Sequence, residues 1–389
     1  MFKVQTINSI AAIGLKQFPL DAYEFGPEVP AADAILVRSH DMHQYTLPPS
    51  VKVIGRAGAG VNNIPVDALT KLGIPVLNTP GANANAVREL VLAGMLLASR
   101  HICAAWNYVH QLQVTPEQLD KQIEQDKKQF VGVELLGKTL GVIGLGSIGV
   151  KVANAARLLG MHVIGYDPTI TVNRAWELSS DVQQARDLSS LVSEADFITF
   201  HVPLNDATKG MLNAELLLSA KPNAVLLNFS REGIANTADL IAALNENRVQ
   251  VYVTDFPTPQ LKDHPKVISL PHLGASTQEA EENCAVMIVK QVRDFLEQGT
   301  ISNSVNFPTL EMQRQTGNHR LSIVNLNIPN MVAQISTTLA NAKLNIASLA
   351  NQSRGDIAYT LIDVNQTLSP SLLSELQSIH GVIQIREIP

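Results

Sequence analysis

The feature that most constrains the fold is a three-glycine motif between a strand and a helix. The apolar run 139–143 predicts a β-strand, and Gly144-Leu145-Gly146-Ser147-Ile148-Gly149 follows it directly. Apolar residues then recur at helical spacing, at Val152, Ala156 and Leu159. In such a unit the first glycine allows a tight turn, the second lets the backbone approach a pyrophosphate, and the third lets the helix pack on its strand. The motif therefore predicts a βαβ unit that binds a dinucleotide.

The second strand of this unit indicates which dinucleotide binds. It spans residues 162–166 and is followed by Asp167. A carboxylate at this place accepts hydrogen bonds from the ribose hydroxyls and repels a 2′-phosphate. No basic residue occurs between Asp167 and Arg174. We therefore predict NAD rather than NADP.

The rest of the chain before residue 303 alternates short β-rich runs with helix-like stretches, which is typical of parallel α/β units. With 389 residues, two or three domains are expected. A second glycine cluster at residues 55–60 is not followed by a helical pattern. We interpret it as a substrate-binding loop.

A polar stretch at residues 303–318, with Pro308 and Gly317, predicts a linker that few apolar contacts cross. Beyond it the pattern predicts strand, helix, strand, strand, helix, strand, with Ser369 as an N-cap and Pro370 at the first helical position. The predicted elements are strands at 320–328, 346–353, 356–364 and 382–388 and helices at 331–343 and from 370. We expect a separate small α+β domain.

Composition excludes several classes of protein. A net charge of -6 argues against nucleic-acid binding. The longest apolar stretch, residues 90–98, is shorter than the roughly 20 residues of a membrane span, and the first residues lack the apolar core of a signal peptide. The two cysteines, Cys103 and Cys284, cannot form a disulfide framework. We expect a cytoplasmic protein with no membrane partner and no metal site.

Two further segments carry a resemblance to a known family. They are Asn228-Phe229-Ser230-Arg231-Glu232-Gly233 and Pro271-His272-Leu273-Gly274-Ala275-Ser276-Thr277. Together with the glycine motif they make residues 1–310 resemble the D-isomer-specific 2-hydroxyacid dehydrogenases. The nearest likeness is to members that act on 3-phosphoglycerate, through residues 8–10, 13–15, 37–39, 78–85 and the Arg56 loop. The C-terminal segment resembles an ACT domain, which is a ligand-sensing module.

This resemblance implies two Rossmann-like, doubly wound α/β domains and a C-terminal α+β ACT domain of ferredoxin-like fold. Residues 1–82 and 275–310 would form the substrate-binding domain, 83–274 the NAD-binding Rossmann domain, and 318–389 the ACT regulatory domain. The active site would lie in the cleft between the first two domains.

The implied activity is oxidation of 3-phosphoglycerate to 3-phosphohydroxypyruvate by hydride transfer to NAD, the first step of phosphorylated serine biosynthesis. Such a reaction needs a base for the hydroxyl proton, and the ordinary pKa of histidine, near neutrality, suits His272 to this task. It also needs a cation for the carboxylate and the carbonyl oxygen, which the planar guanidinium of Arg231 can contact in two places.

The resemblance also names binding residues. Those expected to contact NAD are Gly144, Gly146, Ser147, Ile148, Gly149, Asp167, His201, Val202, Pro203, Phe229, Ser230, Asp255, Gly274 and Ala275. Those expected to bind substrate are Arg38, Ser39, Arg56 and Asn83, and two arginines suit an anionic substrate with a phosphate. Asn327 and Asn345 are expected to bind a serine effector at the ACT domain.

Helix 86–100 and the polar segment 118–129 resemble the family's dimer element, which implies a homo-oligomer, at least a dimer. Taken alone, the polar segment fits either a solvated helix or an arm that packs on a second subunit.

The chain departs from the family pattern near Pro259 and Gln260, where a glutamate that pairs with the catalytic histidine is expected. Either His272 works without it or another acid, such as Asp263, replaces it. In the ACT segment, Asn325 replaces a histidine and Asn330 a glycine. Two alternatives therefore stay open: another 2-hydroxyacid dehydrogenase, or an NADH-sensing regulatory protein of the same fold.

Overall fold

A computed structural model describes residues 1–315 and 317–388. The chain divides into two compact units. The first unit comprises Met1–Asn83 and the described residues from Gln278 onward, and the second comprises Ala84–Thr277.

The first unit begins with a five-stranded parallel sheet in the order β2-β1-β3-β4-β5. All four residues of the central strand Ala34–Val37 are buried, as expected for a parallel strand covered on both faces. The strands are β1 (Phe2–Ile7), β2 (Tyr23–Gly26), β3 (Ala34–Val37), β4 (Val53–Arg56) and β5 (Val76–Leu77), with helices α1 (Ala12–Leu15) and α2 (Val66–Lys71).

The second unit is built on a seven-stranded parallel sheet whose strands are β6 (Thr139–Ile143), β7 (His162–Tyr166), β8 (Gln183–Gln184), β9 (Phe197–Phe200), β10 (Ala224–Asn228), β11 (Val249–Thr254) and β12 (Val267–Ser269). Its helices are α3 (Ala84–Ser99), α4 (Ile102–Gln111), α5 (Pro116–Asp126), α6 (Ser147–Leu158), α7 (Val172–Glu177), α8 (Leu188–Glu194), α9 (Ala214–Leu218) and α10 (Thr237–Asn245). The spatial order is β12-β11-β10-β9-β6-β7-β8.

Successive residues of these strands enter different apolar cores on the two faces of the sheet. Val142 and Leu227 belong to one core, and Ile143 and Leu226 to the other. The strand order reverses between β6 and β9, and in open α/β sheets ligands bind beyond the carboxyl ends of the strands at such a point. The predicted doubly wound α/β fold is confirmed.

The polar segment 118–129 lies in α5 and in the 3₁₀ turn Lys127–Phe130 that follows it. Thr115 and Gln118 form a capping box at its start. None of the residues of α4 or α5, all of which are described, is buried. Within residues 1–315 and 317–388, no single helix has the length and apolar composition of a membrane span, and α3 with α4 meets that measure only as a pair bent by 63°.

The C-terminal segment has the predicted βαββαβ order, in an antiparallel sheet arranged β14-β15-β13-β16. Ser369 caps the last helix, and its Oγ accepts a hydrogen bond from the Leu372 amide at 3.3 Å. The elements are α11 (Gln278–Gln298), β13 (His319–Leu326), α12 (Met331–Asn341), β14 (Ile346–Arg354), β15 (Ile357–Val364), α13 (Pro370–Ser378) and β16 (Val382–Ile388).

This C-terminal sheet buries both of its faces within the first unit. On one face, residues such as Ile362 share a core with α12 and α13. On the other, Val324, Tyr359 and Leu361 join the core that contains Phe295 of α11. The expectation that few apolar contacts cross residues 303–318 is therefore wrong, because β15 is apolar on both sides and all eight of its residues are buried. The three-domain boundaries stay a prediction.

Polar side chains of the sheet also hold the C-terminal end of α11. Arg320 and Asp363 form a fully buried ion pair, and Arg320 Nη1 donates to the carbonyls of Gln298 at 3.0 Å and Met312 at 2.8 Å. Arg386 donates to the Phe295 carbonyl at 2.6 Å and lies 4.1 Å from its ring centroid. Arg320 satisfies the Gln298 carbonyl, which the helix itself cannot satisfy, and both cations face the negative end of the helix dipole.

Candidate active site

The glycine motif forms a tight turn at the carboxyl end of β6. Gly144 has φ +90°, and a Cβ added there would lie 2.6 Å from the His201 carbonyl oxygen. A Cβ on Gly149 would lie 1.9 Å from the Gly144 carbonyl oxygen, so the helix can pack this closely only with glycine. Gly146 is the N-cap of α6, with no described atom beyond its chain neighbours within 4 Å of an added Cβ. The first amides of α6, starting at Ser147 and Ile148, thus have an open approach that fits a pyrophosphate.

Asp167 follows β7, the neighbour of β6, and is tied to the glycine turn. Its Oδ2 accepts a hydrogen bond from the Leu145 amide at 2.8 Å, and its Oδ1 accepts one from the Thr169 amide at 2.8 Å. Oδ1 also accepts from Thr169 Oγ1 at 3.1 Å, so Oδ2 is the oxygen that can accept a further bond, as from a ribose hydroxyl. Its role in cofactor choice stays a prediction.

His201, Val202 and Pro203 follow β9, on the other side of β6. His201 is partly exposed, but its Nδ1 is buried and has no partner in the described chain. Its Nε2 lies 3.0 Å from Thr199 Oγ1. Burial lowers the pKa of this imidazole to about 3, so the ring is neutral at pH 7. A neutral ring with an unused nitrogen fits the wall of a cofactor pocket.

Arg231 is presented by a turn that follows β10. Phe229 is buried against α3, where a Cβ on Gly94 would lie 2.9 Å from its ring. Ser230 is buried, and Arg231 is exposed, with its Nη1 donating to the Ser230 carbonyl at 2.7 Å. The turn is organised by Asn228, which sequence reasoning did not select as a site residue. The signal was available, since Asn228 opens the motif that contains Arg231.

Asp255 follows β11 and holds the His272 loop at two points. Its main-chain carbonyl accepts from the His272 amide at 2.9 Å, and its Oδ2 accepts from the Gly274 amide at 2.9 Å. Its Oδ1 is buried and has no partner within residues 1–315 and 317–388. Burial raises the pKa of Asp255. Ala275, next in the loop, is half-buried.

His272 itself has an unusual backbone and an aromatic neighbour. Its φ is +20°, a conformation that non-glycine residues adopt at a cost and that clusters at functional sites. Its ring centroid lies 4.8 Å from that of Phe256, with the planes at 46°. The exposed imidazole is thus oriented by packing.

The family resemblance implies a carboxylate beside this histidine, near Pro259 and Gln260, and neither of these residues supplies one. No described carboxylate side chain forms a hydrogen bond or ion pair with His272. Asp263, the alternative acid, is 80% exposed and pairs with Lys262 instead. That Asp263 replaces the glutamate stays a prediction, since the described contacts of its side chain are to Lys262.

Three of the predicted substrate residues lie at the carboxyl ends of β3 and β4 in the first unit, namely Arg38, Ser39 and Arg56. Arg56 Nε donates to the Arg38 carbonyl at 3.1 Å, and Asn8 Oδ1 accepts from the Ser39 amide at 3.3 Å. Arg38 Nη2 lies 2.6 Å from Oε1 of Glu281 on α11, a partner that sequence reasoning missed. Asn83 is half-buried at the end of this segment.

The absence of a side chain on Gly58 leaves room for the guanidinium of Arg56. The φ of Gly58 is +155°, and an added Cβ would lie 1.9 Å from Arg56 Nη1. The glycine cluster 55–60 thus makes room for a guanidinium, in keeping with its interpretation as a substrate loop, and the next helix begins only at Val66.

The two predicted effector residues are not brought together within one chain. Asn327 Nδ2 donates to the Gly355 carbonyl at 3.0 Å, at one end of the C-terminal sheet. The Asn345 amide donates to Asn365 Oδ1 at 3.1 Å, at the other end. The eight residues of β15 between these ends span about 25 Å. A serine site that uses both amides would need a second copy of the chain.

The geometry of the second unit agrees with a family match. The profile of the D-isomer specific 2-hydroxyacid dehydrogenase NAD binding domain matches residues 92–274. This match contains the glycine turn, Asp167, the Arg231 turn and the His272 loop. Residues 92–274 therefore belong to the NAD-binding domain family of the D-isomer specific 2-hydroxyacid dehydrogenases.

Individual relatives show which members of this family the chain is similar to in sequence. D-3-phosphoglycerate dehydrogenase of Synechocystis sp. is 38% identical over 329 residues, covering 80% of this chain and 57% of that protein. The D-3-phosphoglycerate dehydrogenase of Methanocaldococcus jannaschii is 39% identical over 270 residues, covering 68% of this chain and 49% of that protein. The chain thus spans about half the length of these curated relatives.

Among solved structures, NAD⁺-bound 3-phosphoglycerate dehydrogenase of Entamoeba histolytica is 26% identical with a TM-score of 0.62, covering 79% of this chain and 99% of that one. A glyoxylate reductase from Paecilomyes thermophila is 25% identical with a TM-score of 0.63, covering 78% of this chain and 98% of that one. Both are similar to this chain in fold.

Proposed function

We propose that this chain is an NAD-dependent enzyme that oxidises 3-phosphoglycerate to 3-phosphohydroxypyruvate, the first step of phosphorylated serine biosynthesis. The observation that carries the proposal is the pair Arg38 and Arg56, which the Arg38 carbonyl and Gly58 bring together at one edge of the first sheet. Two guanidinium groups at one edge suit a phosphate better than they suit a short uncharged side chain. The names of the relatives support the same substrate.

The acid-base and electrostatic groups lie on neighbouring loops. β10 and β11 are adjacent, and Thr254 Oγ1 donates to the Asn228 carbonyl at 2.9 Å, which joins the base of the Arg231 turn to the strand that precedes Asp255. In the proposed reaction Arg231 binds the substrate carboxylate and stabilises the developing carbonyl oxygen. His272 takes the hydroxyl proton. Bound NAD supplies the hydride acceptor.

The remaining residues prepare the site. Asp255 and Phe256 fix the loop and ring of His272, and the open amides of α6 receive the pyrophosphate. Glu281 keeps Arg38 in place until a phosphate competes for the guanidinium.

The test is turnover of the purified full chain with NAD, followed as NADH absorbance. We expect 3-phosphoglycerate to be a far better substrate than D-glycerate, D-lactate or other unphosphorylated 2-hydroxy acids. Arg56→Met should raise KM for 3-phosphoglycerate and leave KM for D-glycerate unchanged. Lys52→Met is the matched control, because Lys52 directly precedes β4, at the end opposite Arg56, and pairs with Asp33. Equal efficiency with D-glycerate in the parent would refute the phosphate assignment.

Two other functions have specific support. The fold similarity to a glyoxylate reductase favours another 2-hydroxyacid dehydrogenase, which preferential reduction of an unphosphorylated ketoacid would identify. No described carboxylate forms a hydrogen bond or ion pair with the His272 ring, which favours an NADH-sensing regulatory protein. NADH binding without turnover of any 2-hydroxy acid would identify this function.

The same proposal includes a homo-oligomer, at least a dimer, that works in the cytoplasm. Trp106 is 66% exposed on α4, with Ile102 and Val109 exposed on the same helix, and a second copy would cover this apolar face. A serine effector would bind where Asn327 of one copy meets Asn345 of another.

A further inference from the structure

We infer that Asn228 is the positioning residue for Arg231, and that its side-chain amide sets the conformation in which the guanidinium meets the substrate. The side chain is fully buried, and its accepting and donating groups are all used. Oδ1 accepts from the Ser230 amide at 3.1 Å and from Ser230 Oγ at 2.9 Å. Nδ2 donates to the Arg231 carbonyl at 2.9 Å and to the Tyr252 hydroxyl at 3.1 Å.

Three of these four bonds go to the turn itself. The amide therefore fixes the peptide N–H of Ser230 and the carbonyl of Arg231, and with them the direction in which the Arg231 side chain leaves the backbone. The Asn228 carbonyl also accepts a hydrogen bond from Thr254 Oγ1, which anchors the Arg231 turn to β11. Only a group that both accepts and donates, of the size of asparagine, fits this place.

Arg231 is held mainly from within the same turn. Its side chain is exposed, and its Nη1 donates to the Ser230 carbonyl, which belongs to that turn. Loss of the Asn228 amide therefore releases the turn and the guanidinium together. A displacement of about 1 Å in a group that must meet a transition state costs on the order of 100-fold in rate.

The test compares Asn228→Asp with Asn228→Leu in the full chain. In Asn228→Asp the ionised carboxylate places an acceptor oxygen against the Arg231 carbonyl oxygen, and the two repel each other. The protonated carboxyl can donate to that carbonyl and still accept from Ser230. The kcat of Asn228→Asp, expressed as a ratio to the parent at the same pH, should therefore rise as the pH falls. Taking the ratio removes every pH effect that the variant and the parent share. The ratio for Asn228→Leu should stay low, roughly 10- to 100-fold below the parent, at every pH.

Tyr252→Phe is the matched control, because it removes the fourth partner of the amide and leaves the three bonds to the turn. We expect its kcat to stay within about threefold of the parent, well below the cost of a lost transition-state contact. Thermal unfolding of each variant at each pH separates a loss of positioning from a loss of folded protein.

The turnover measurement rests on the proposed function, whereas a second measurement does not. Modification of Arg231 by butanedione, followed by peptide mass spectrometry, should be several-fold faster in Asn228→Leu than in the parent or in Tyr252→Phe. Arg186, which is 90% exposed in the same unit, is the internal standard. An unchanged modification rate for Arg231, or a pH-independent ratio for Asn228→Asp, would overturn the inference. If the parent has no turnover, the proposed function fails while the modification experiment still decides the role of Asn228.

Discussion

The buried ion pair that joins the C-terminal sheet to α11 allows a quantitative test of how that sheet is attached. Arg320 and Asp363 are both fully buried, with Nε to Oδ1 at 2.7 Å and Nη2 to Oδ2 at 2.8 Å. Among the described residues, Asp363→Leu leaves the buried guanidinium with the carbonyls of Gln298 and Met312 as its hydrogen-bond partners. Breaking a buried pair by removing one partner costs about 3–5 kcal/mol in the free energy of unfolding.

The double variant Arg320→Met with Asp363→Leu should be less damaged than the single variant. It leaves no unpaired charge, and it loses mainly the two hydrogen bonds to carbonyls of Gln298 and Met312, at about 1 kcal/mol each. We therefore expect a cost of about 2 kcal/mol for the double variant. Arg186→Ala is the control, because its 3.9 Å pair with Asp187 is exposed to solvent and its removal should leave the stability unchanged.

The measurement is urea unfolding followed by far-UV circular dichroism, with hydrogen exchange of peptides from β13, β15 and the last turn of α11. Tryptophan fluorescence does not serve here, since Trp106 and Trp176 both lie in the second unit. Asp363→Leu should speed exchange in all three segments. A double variant less stable than the single variant would show that the charge pair itself, rather than the cost of an unpaired charge, dominates, and would refute the reasoning.

Four other predictions concern the second unit. The parent should use NAD far more efficiently than NADP, and Asp167→Ser should narrow this ratio by about tenfold, or 1.4 kcal/mol; equal efficiencies in the parent would remove Asp167 from cofactor choice. Arg231→Lys should lower kcat by about 100-fold, because an ammonium cannot make a two-pronged contact, and near-full turnover would contradict this. His272→Ala should lower kcat by about 100-fold or more, and Gln260→Glu should extend ketoacid reduction to higher pH by favouring the protonated ring; an unchanged pH profile would mean that residue 260 does not reach His272. Because the pKa of His201 is about 3 in the folded chain against an ordinary 6.5, the unfolded chain takes up a proton that the folded chain cannot as the pH falls from 6.5 to 3. The free energy of unfolding should therefore fall over this range, and that of His201→Gln should fall less steeply. Urea titrations at each pH, followed by Trp176 fluorescence, measure both.

Local sequence patterns determined much of the fold and of the cofactor site. The turn at Gly144, the close approach at Gly149 and the open cap at Gly146 depend on residues a few positions apart, so the motif was sufficient to predict them. The βαββαβ order after residue 318 and the N-cap at Ser369 follow from periodicity and capping in the same way. The sequence patterns that predict strands and helices depend on residues that are close together along the chain.

Contacts between residues far apart in sequence were decided only by the tertiary structure. Periodicity showed that β15 is apolar, but it could not show that its second face would pack on α11, or that Arg320 would reach the Gln298 carbonyl. The Arg38 partner Glu281 and the separation of Asn327 from Asn345 depend in the same way on strand order and register. A side chain's partner is set by where the chain returns in space, because the free energy of burying a charge or an apolar face depends on every group around it and not on spacing along the chain.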